Sequence, residues 1–431
     1  MNTNNRRTFI ANLLSSFSFI LLSKIFVHKR VNAKNKPRII ILGMGIGGST
    51  CLNYLYNLSD YIEIVVIEKN KTIRTGPFSN LVIGGILSPG DITFNQNEKK
   101  YKRVKFVYKE IKLINSKDKK VILSDGSKLN FDFLILSPGI GYKDNIKGYK
   151  ISDIDNIPHC WDGDSDIMLF KKRLSEVDDN SKILISAPDY PYRCPPAPYE
   201  RASLIANYYK KLRKNVKILI LDSKDSFTKQ ENFFKEWSLF YKDIIEWIPR
   251  NKGGRVIFYD KQNRSVKNDQ GQTFKGDFIH IIPEQKTSNI ILDSHLTRDE
   301  DDWCKVNPIS FELDDHQDIY AVGDAINAWA MPKSAFSANS QAKVLSINLI
   351  NKILEKDLID PVFLNTCYSF SKEDRAFSIS AWYRLNITKD KIISLGSSES
   401  DINLDSYNRK LEAKHAFGWY ETMVKDLFLK I

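Results

Sequence analysis

Nowhere in its 431 residues does the chain contain Cys-x-x-Cys-His, so it attaches no c-type haem of its own. Long apolar runs are scarce as well. Outside one N-terminal stretch, none has the ~20 residues that a membrane-spanning helix needs. Acidic residues are absent from the first 33 positions, although these hold five of the basic residues behind a formal net charge of +12. The remaining basic excess lies in short runs such as NEKKYKRVK and SKDKK, without interleaved aromatics. That pattern argues against a nucleic-acid stacking platform and reads as solvated surface lysines. Cysteine is sparse: Cys51, Cys160, Cys194, Cys304 and Cys367 are all there are, an odd number that leaves at least one thiol unpaired.

The acid-free N-terminus has its own pattern. Arg6-Arg7 leads into Thr8-Phe9-Ile10, an apolar segment follows from about Ala11 to Leu22, and small residues end at Ala33. This resembles a twin-arginine export signal over residues 1–33; the apolar stretch is short for an anchor and Lys24 interrupts it. The expected location is the periplasm, a compartment that permits disulfides.

Glycine, by contrast, is concentrated where it matters. The apolar strand RIIIL (Arg38 to Leu42) runs into Gly43-x-Gly45-x-x-Gly48, then a helical stretch, then the strand IEIVVI. Glu68 follows that strand, 20 positions past the last glycine. Strand, glycine loop, helix and distal acid are the context of a dinucleotide site: the glycines admit a pyrophosphate at a helix N-terminus and the carboxylate bonds ribose hydroxyls. Two later strands end in distinctive turns, FDFLILSPGI in Ser137-Pro138-Gly139 and DIYAVGDA in Gly323-Asp324. They resemble the second and third fingerprints of the two-dinucleotide-domain flavoproteins, the disulfide-reductase-like superfamily. The resemblance implies FAD as the ligand, with Asp324 on its ribityl chain.

A second strand–loop–helix–strand unit spans SKILISAPDYPYRCPPAPYERASLIANYYKKLRKNVKILILDS, its second strand ending at Asp222. Here glycine is missing from the loop. Pro188, Pro191, Pro195, Pro196 and Pro198 donate no backbone N–H, and no glycine allows close approach of a phosphate. The unit is expected to keep the Rossmann-like fold without taking NAD(P)H. Cys194, in this rigid loop, is a candidate redox thiol. Cys51 reads as a buried small hydrophobe behind the glycine loop, and Cys160 and Cys304, both beside tryptophans, read as packing residues. Cys194 and Cys367 (FLNTCYSF) are read as loop cysteines, and the residues alone do not pair them.

The blocks PYRCPPAPYERASLIA, MPKSAFSANSQAKV, FLNTCYSF, FSNLVIGG and HAFGWY resemble the flavoprotein subunit of flavocytochrome c sulfide dehydrogenase, from about Pro37 to the C-terminus. The resemblance implies a periplasmic FAD enzyme that oxidises sulfide and passes electrons to a separate c-type cytochrome subunit. It also implies that Cys194 and Cys367 form a redox disulfide beside the flavin, with Glu200 as a proton acceptor. The stretch after Gly-Asp is expected to start a helix near Ser337, its N-terminus and Lys333 aimed at the flavin. One position departs from the family: the flavin-linking cysteine of covalent members is replaced by Gly76 in IRTGPFSN, so non-covalent FAD is expected.

The expected fold class is α/β, with two Rossmann-like domains and a C-terminal α+β interface domain. Residues 37–150 and 295–356 would form a discontinuous FAD domain, 151–294 the inserted second domain, and 357–431 the interface domain, for the cytochrome or for packing onto the FAD domain. Two other functions fit less well. A sulfide:quinone oxidoreductase would need a membrane-contacting surface, for which VKDLFLKI is short and charged. A non-catalytic electron-relay protein would have no use for both Cys194 and Cys367. No metal ligands are expected.

Overall fold

In the computed structural model, residues 36–152, 157–161 and 167–430 are described. The twin-arginine-like segment lies outside them. Five helices matter for the site: α1 (Ile46–Leu55), α2 (Ala197–Lys211), α3 (Gln230–Phe240), α4 (Ala335–Ile353) and α5 (Ser406–Leu427).

The first sheet has six strands in the order Glu312–Leu313, His316–Ala321, Phe133–Leu136, Arg38–Leu42, Glu63–Ile67, Val104–Val107. All neighbours pair in parallel except the short edge hairpin Glu312–Leu313. A parallel sheet is covered on both faces, which is why Ile39, Ile40 and Ile41 are consecutive apolar residues and all buried. Helix α1 packs against α4, where Ala342 leaves room for Cys51. Cys51 is thus core, as read, and burial pushes its thiol up to about 12.

The second sheet comes from chain between the strands of the first. It is parallel throughout, in the order Ile245–Ile248, Val216–Asp222, Ser181–Ala187, Phe278–Ile281. Ala187 and Asp222 end the two central strands side by side. The proline loop and α2 follow the first of these strands and α3 follows the second. The architecture is therefore the α/β one expected, with two Rossmann-like parallel sheets.

The C-terminal part is an antiparallel sheet of Val362–Lys372, Arg375–Leu385 and Ile392–Glu399, backed by α5. Both α2 and α4 pack against Val362–Lys372. Cys367 is in the middle of that strand, not in a loop, paired with Ile379 of the next strand; Phe363, Thr366, Tyr368 and Phe370 around it favour extended backbone. The chain then returns, and Phe428–Lys430 pairs with Thr93–Gln96. So the C-terminal segment is a strand in a small sheet, and among the described residues no helix is long and apolar enough to cross a membrane. A buried ion triad locks the parts together: Glu236 of α3 accepts from Arg375 Nε and Nη2, both at 2.8 Å, with Arg409 Nε of α5 at 3.9 Å.

Candidate active site

A cavity of about 460 Å³ opens where the two parallel sheets and the C-terminal sheet converge. One end is built by the glycine loop. Gly43 has φ +84°, and a Cβ there would stand 2.4 Å from the Ser137 carbonyl oxygen. A Cβ on Gly48 would lie 1.9 Å from the carbonyl oxygen of Gly43, so only glycine lets α1 close onto its own loop. Gly45 faces open space on the cavity wall. Glu68, at the end of its strand, accepts from Met44 N at 2.9 Å and Asn70 N at 3.0 Å while lining the same end. Ser137 and Gly139 add a second wall, and Gly323 and Asp324 a third.

These residues fit a dinucleotide. Asp324 Oδ2 accepts from Arg193 Nε at 2.7 Å, whereas its Oδ1 is buried and has no partner, an acceptor held ready toward the cavity. The N-terminal turn of α4 also faces the cavity through Ala335 and Phe336. It starts two residues earlier than expected, because the Ser334 hydroxyl accepts from Ser337 N and caps it.

Two expected cofactor contacts are placed elsewhere. Lys333 turns behind the cavity wall: its Nζ donates to the carbonyls of Asp324 (3.0 Å) and Ile326 (2.7 Å) and lies 3.4 Å from the centre of the Trp303 ring. Burial lowers this ammonium to about 7. Lys333 therefore buttresses the Gly-Asp turn from behind. The Ser337 hydroxyl donates to Asn365 Oδ1 and is fully buried, tying α4 to the Cys367 strand.

At the other end, the sulfur chemistry gathers. Cys194, with φ +55°, is pinned by its N–H to the Lys333 carbonyl at 2.8 Å. Both thiols line the cavity, and the Cys367 Sγ donates to the Tyr368 carbonyl at 3.7 Å. The neighbouring Cys194 thiol pulls Cys367 below its usual value against the effect of burial, helped by the Lys229 ammonium; Cys194 is pushed up in exchange. Glu200, on the first turn of α2, also lines the cavity. Its Oε2 accepts from Asn80 Nδ2 at 2.7 Å and its Oε1 from Phe370 N at 2.8 Å. Burial holds its carboxyl above the usual range. Cys194, Glu200 and Cys367 are 173 positions apart at the extremes of the chain order, yet they share one wall because α2 packs on Val362–Lys372.

Sequence reasoning missed several residues here. Lys229, Arg193 and Asn80 carry no local signal; each acts through partners 120 or more positions away. Cys160, read as packing, is on the cavity wall beside Trp161, its carbonyl accepting from Arg201 Nη2 at 2.9 Å. Cys304 is core, as read. Gly76 borders the cavity, and a Cβ there would meet nothing within 4 Å.

Fold and site together define a flavoprotein of the two-dinucleotide-domain, disulfide-reductase-like class. Within that class, residues 167–283 match the family model for the sulfide dehydrogenase (flavocytochrome c) flavoprotein chain, central, and residues 359–428 match flavocytochrome c sulphide dehydrogenase, flavin-binding. These two stretches are what the chain shares with that flavoprotein chain, and the flavin-binding match together with the site makes it a flavin-binding protein. Among individual relatives, it is 23% identical over 332 residues to a mitochondrial sulfide:quinone oxidoreductase of Dictyostelium discoideum, covering 74% of this chain and 71% of that one. It is 21% identical over 402 residues to ferroptosis suppressor protein 1 of Taeniopygia guttata, covering 86% and 96%. The solved sulfide:quinone oxidoreductase of Aquifex aeolicus shares the fold with a TM-score of 0.70 at 15% identity, over 90% of this chain and 92% of that one.

Proposed function

We propose that this protein is an FAD-dependent sulfide dehydrogenase subunit that works through a Cys194–Cys367 disulfide and hands electrons to a separate c-type cytochrome after export to the periplasm. One observation carries the reading: the thiols of Cys194 and Cys367 open onto the same cavity as the glycine loop and the Gly-Asp turn. FAD, held by Gly43, Gly45, Glu68, Ser137, Gly139 and Asp324, supplies a two-electron acceptor. With no cysteine at position 76, it is held non-covalently.

The chain's own groups then divide the work. Hydrosulfide attacks one sulfur of the disulfide, an S–S bond forms to it, and the bond between the cysteines breaks, leaving a thiolate on the other. In net terms hydrosulfide becomes zero-valent sulfur, a proton and two electrons, the electrons leaving to the flavin. Glu200 is placed to take the proton, and its raised carboxyl suits a base that must also release it. The proline loop holds Cys194 in position for the exchange, since Pro188, Pro191, Pro195 and Pro196 each fix φ and restrict its backbone, and Pro198 starts the helix that follows.

The second unit takes no nicotinamide nucleotide. Besides lacking glycine in its loop, it has Asp222 spent internally: the carboxylate accepts from Tyr199 OH, from Trp247 Nε1 at 2.8 Å and from Lys224 Nζ at 2.6 Å. Without a Cys-x-x-Cys-His in this chain, one-electron transfer calls for a haem on another.

A second acceptor is favoured by a specific feature. A cavity of about 370 Å³, lined chiefly by aromatic residues such as Phe78, Phe94, Phe417 and Tyr420 but also by Asp91, Glu421 and Lys425, shares Phe78 and Phe428 with the flavin cavity. A planar apolar acceptor such as a quinone would fit there.

The test is anaerobic addition of sulfide to the purified holoprotein while flavin absorbance is followed. Sulfide bleaches the flavin and NADH does not; Cys194→Ser and Cys367→Ser abolish bleaching. Reoxidation by added cytochrome c supports the first acceptor and reoxidation by a soluble quinone the second. A flavin that sulfide leaves oxidised refutes the sulfide reading.

A further inference from the structure

Lys229 precedes α3 in the left-handed region, at φ +63°, and only 2% of it is exposed. A non-glycine residue in that conformation needs support from its surroundings. Here the support is the side chain's reach across to the C-terminal sheet. Its Nζ donates to the Cys367 carbonyl at 3.0 Å, to Ser369 Oγ at 3.0 Å and to the Phe377 carbonyl at 3.4 Å. All three partners are neutral. A buried ammonium satisfied only by neutral acceptors is costly unless a negative charge stands nearby when the protein works.

The titratable and charged groups facing this cation and the sulfur pair are few. Glu200 comes from α2, Cys194 from the proline loop and Cys367 from its strand; Arg201 of α2, which lines the same cavity, also interacts with Cys194 and Glu200. Glu200 raises both thiols, so it disfavours a thiolate. Lys229 acts the other way on both thiols and also favours the Glu200 carboxylate; what singles out Cys367 is the bond from this ammonium to its own carbonyl.

We infer that Lys229 is a positioning residue that places the negative charge of the opened sulfur pair on Cys367, and thereby makes Cys194 the sulfur that hydrosulfide attacks. This rests on the disulfide cycle proposed above. In the opening step the electron pair of the broken Cys194–Cys367 bond stays on Cys367 Sγ, while the new bond joins the incoming sulfur to Cys194 Sγ. In thiol–disulfide exchange the sulfur with the more stable thiolate leaves faster, so a cation fixed beside Cys367 selects the site of attack. An exposed position would not serve as well, because the high dielectric of water weakens the effect of the same charge on the sulfur roughly fourfold relative to a protein interior.

Alkylation of the reduced, flavin-loaded protein tests this. Iodoacetamide is pulsed over a pH series spanning neutrality, and peptides containing Cys194 and Cys367 are quantified separately by mass spectrometry. In the wild type Cys367 is modified first. Lys229→Gln keeps a hydrogen-bond donor but removes the charge; it should slow Cys367 modification at neutral pH about tenfold, the effect of one pKa unit, and move its pH profile upward. Lys229→Arg should restore the wild-type order and profile. Cys194 reacting first in the wild type overturns the inference without any variant, so a Lys229→Gln protein that fails to fold does not protect it. So does a folded Lys229→Gln protein, checked by circular dichroism and flavin content, whose Cys367 profile is unmoved. None of these readouts uses sulfide: failure of bleaching with the alkylation order intact would refute the sulfide reading and leave the placement of charge standing.

Discussion

Single residues at the sulfur end of the cavity are set against one another. Cys194 and Lys229 favour charge on Cys367, and Glu200 opposes it. Glu200 itself is held above the usual carboxyl range by burial, against hydrogen bonds from Asn80 and the Phe370 N–H. A base acts only when deprotonated, so sulfide-dependent flavin reduction should rise with pH through that elevated value. Glu200→Gln should lower the rate about 10²-fold, within the usual span for a positioned acid–base group, and flatten the rising limb. A pH–rate profile of the variant that keeps the wild-type limb would assign the proton to another group. Lys333 shows the opposite lesson: its sequence position suggested a cofactor contact, but the two carbonyls that capture its ammonium lie behind the turn it supports.

Among the elements, the glycine loop and the Gly76 turn border the same cavity but have opposite tolerance. At Gly48 an added methyl would stand 1.9 Å from the Gly43 carbonyl oxygen, and backbone cannot swing aside as a flexible side chain can. Gly48→Ala should therefore cost at least ~1–3 kcal/mol, as overpacking does, and the protein should lose flavin on gel filtration. At Gly76 the same methyl meets nothing within 4 Å. Gly76→Ala should stay within about 0.5 kcal/mol of the wild type in thermal unfolding. In both the wild type and Gly76→Ala, acid precipitation should leave all flavin in the supernatant; flavin retained in the pellet would mean a covalent link at another residue. The strand carrying Cys367 is held equally firmly, since α2 packs along it and Asn365 accepts from Ser334 and Ser337 of the α4 start.

Across the whole molecule, the site is a convergence of three sheets, and the Glu236 triad keeps them together. Burial pushes the Glu236 carboxyl up, but hydrogen bonds from Arg375 and Ser371 outweigh it and leave the group below its usual range. A depressed carboxylate contributes its full stability above the unfolded value, ~4.3 for glutamate, and loses it as pH falls through the folded one. Glu236→Ala leaves Arg375 and Arg409 without their buried counter-charge. It should cost ~3–5 kcal/mol at neutral pH, and the gap between wild type and variant should narrow as the pH drops below that of an ordinary glutamate. Parallel denaturant titrations at neutral and acid pH would show it, and a gap that stays constant would place the stabilisation in packing alone.

The sequence by itself determined whatever depends on neighbours in the chain. Consecutive apolar residues at Arg38–Leu42 and within Ser181–Ala187, followed by Gly43 and by Pro188 respectively, specify buried parallel strands and the loops that follow them. The glycine spacing and Asp324 make the nucleotide end legible for the same reason: backbone approach is a local requirement. The tertiary structure alone decided what depends on contacts across the chain. It made the Cys367 segment a strand, moved Lys333 behind the wall, brought Cys160 onto the cavity, and delivered Lys229 to the carbonyl of Cys367. The reason is physical: a buried charge or thiol takes its properties from groups within a few ångströms, and here those groups come from helices and strands more than a hundred residues apart.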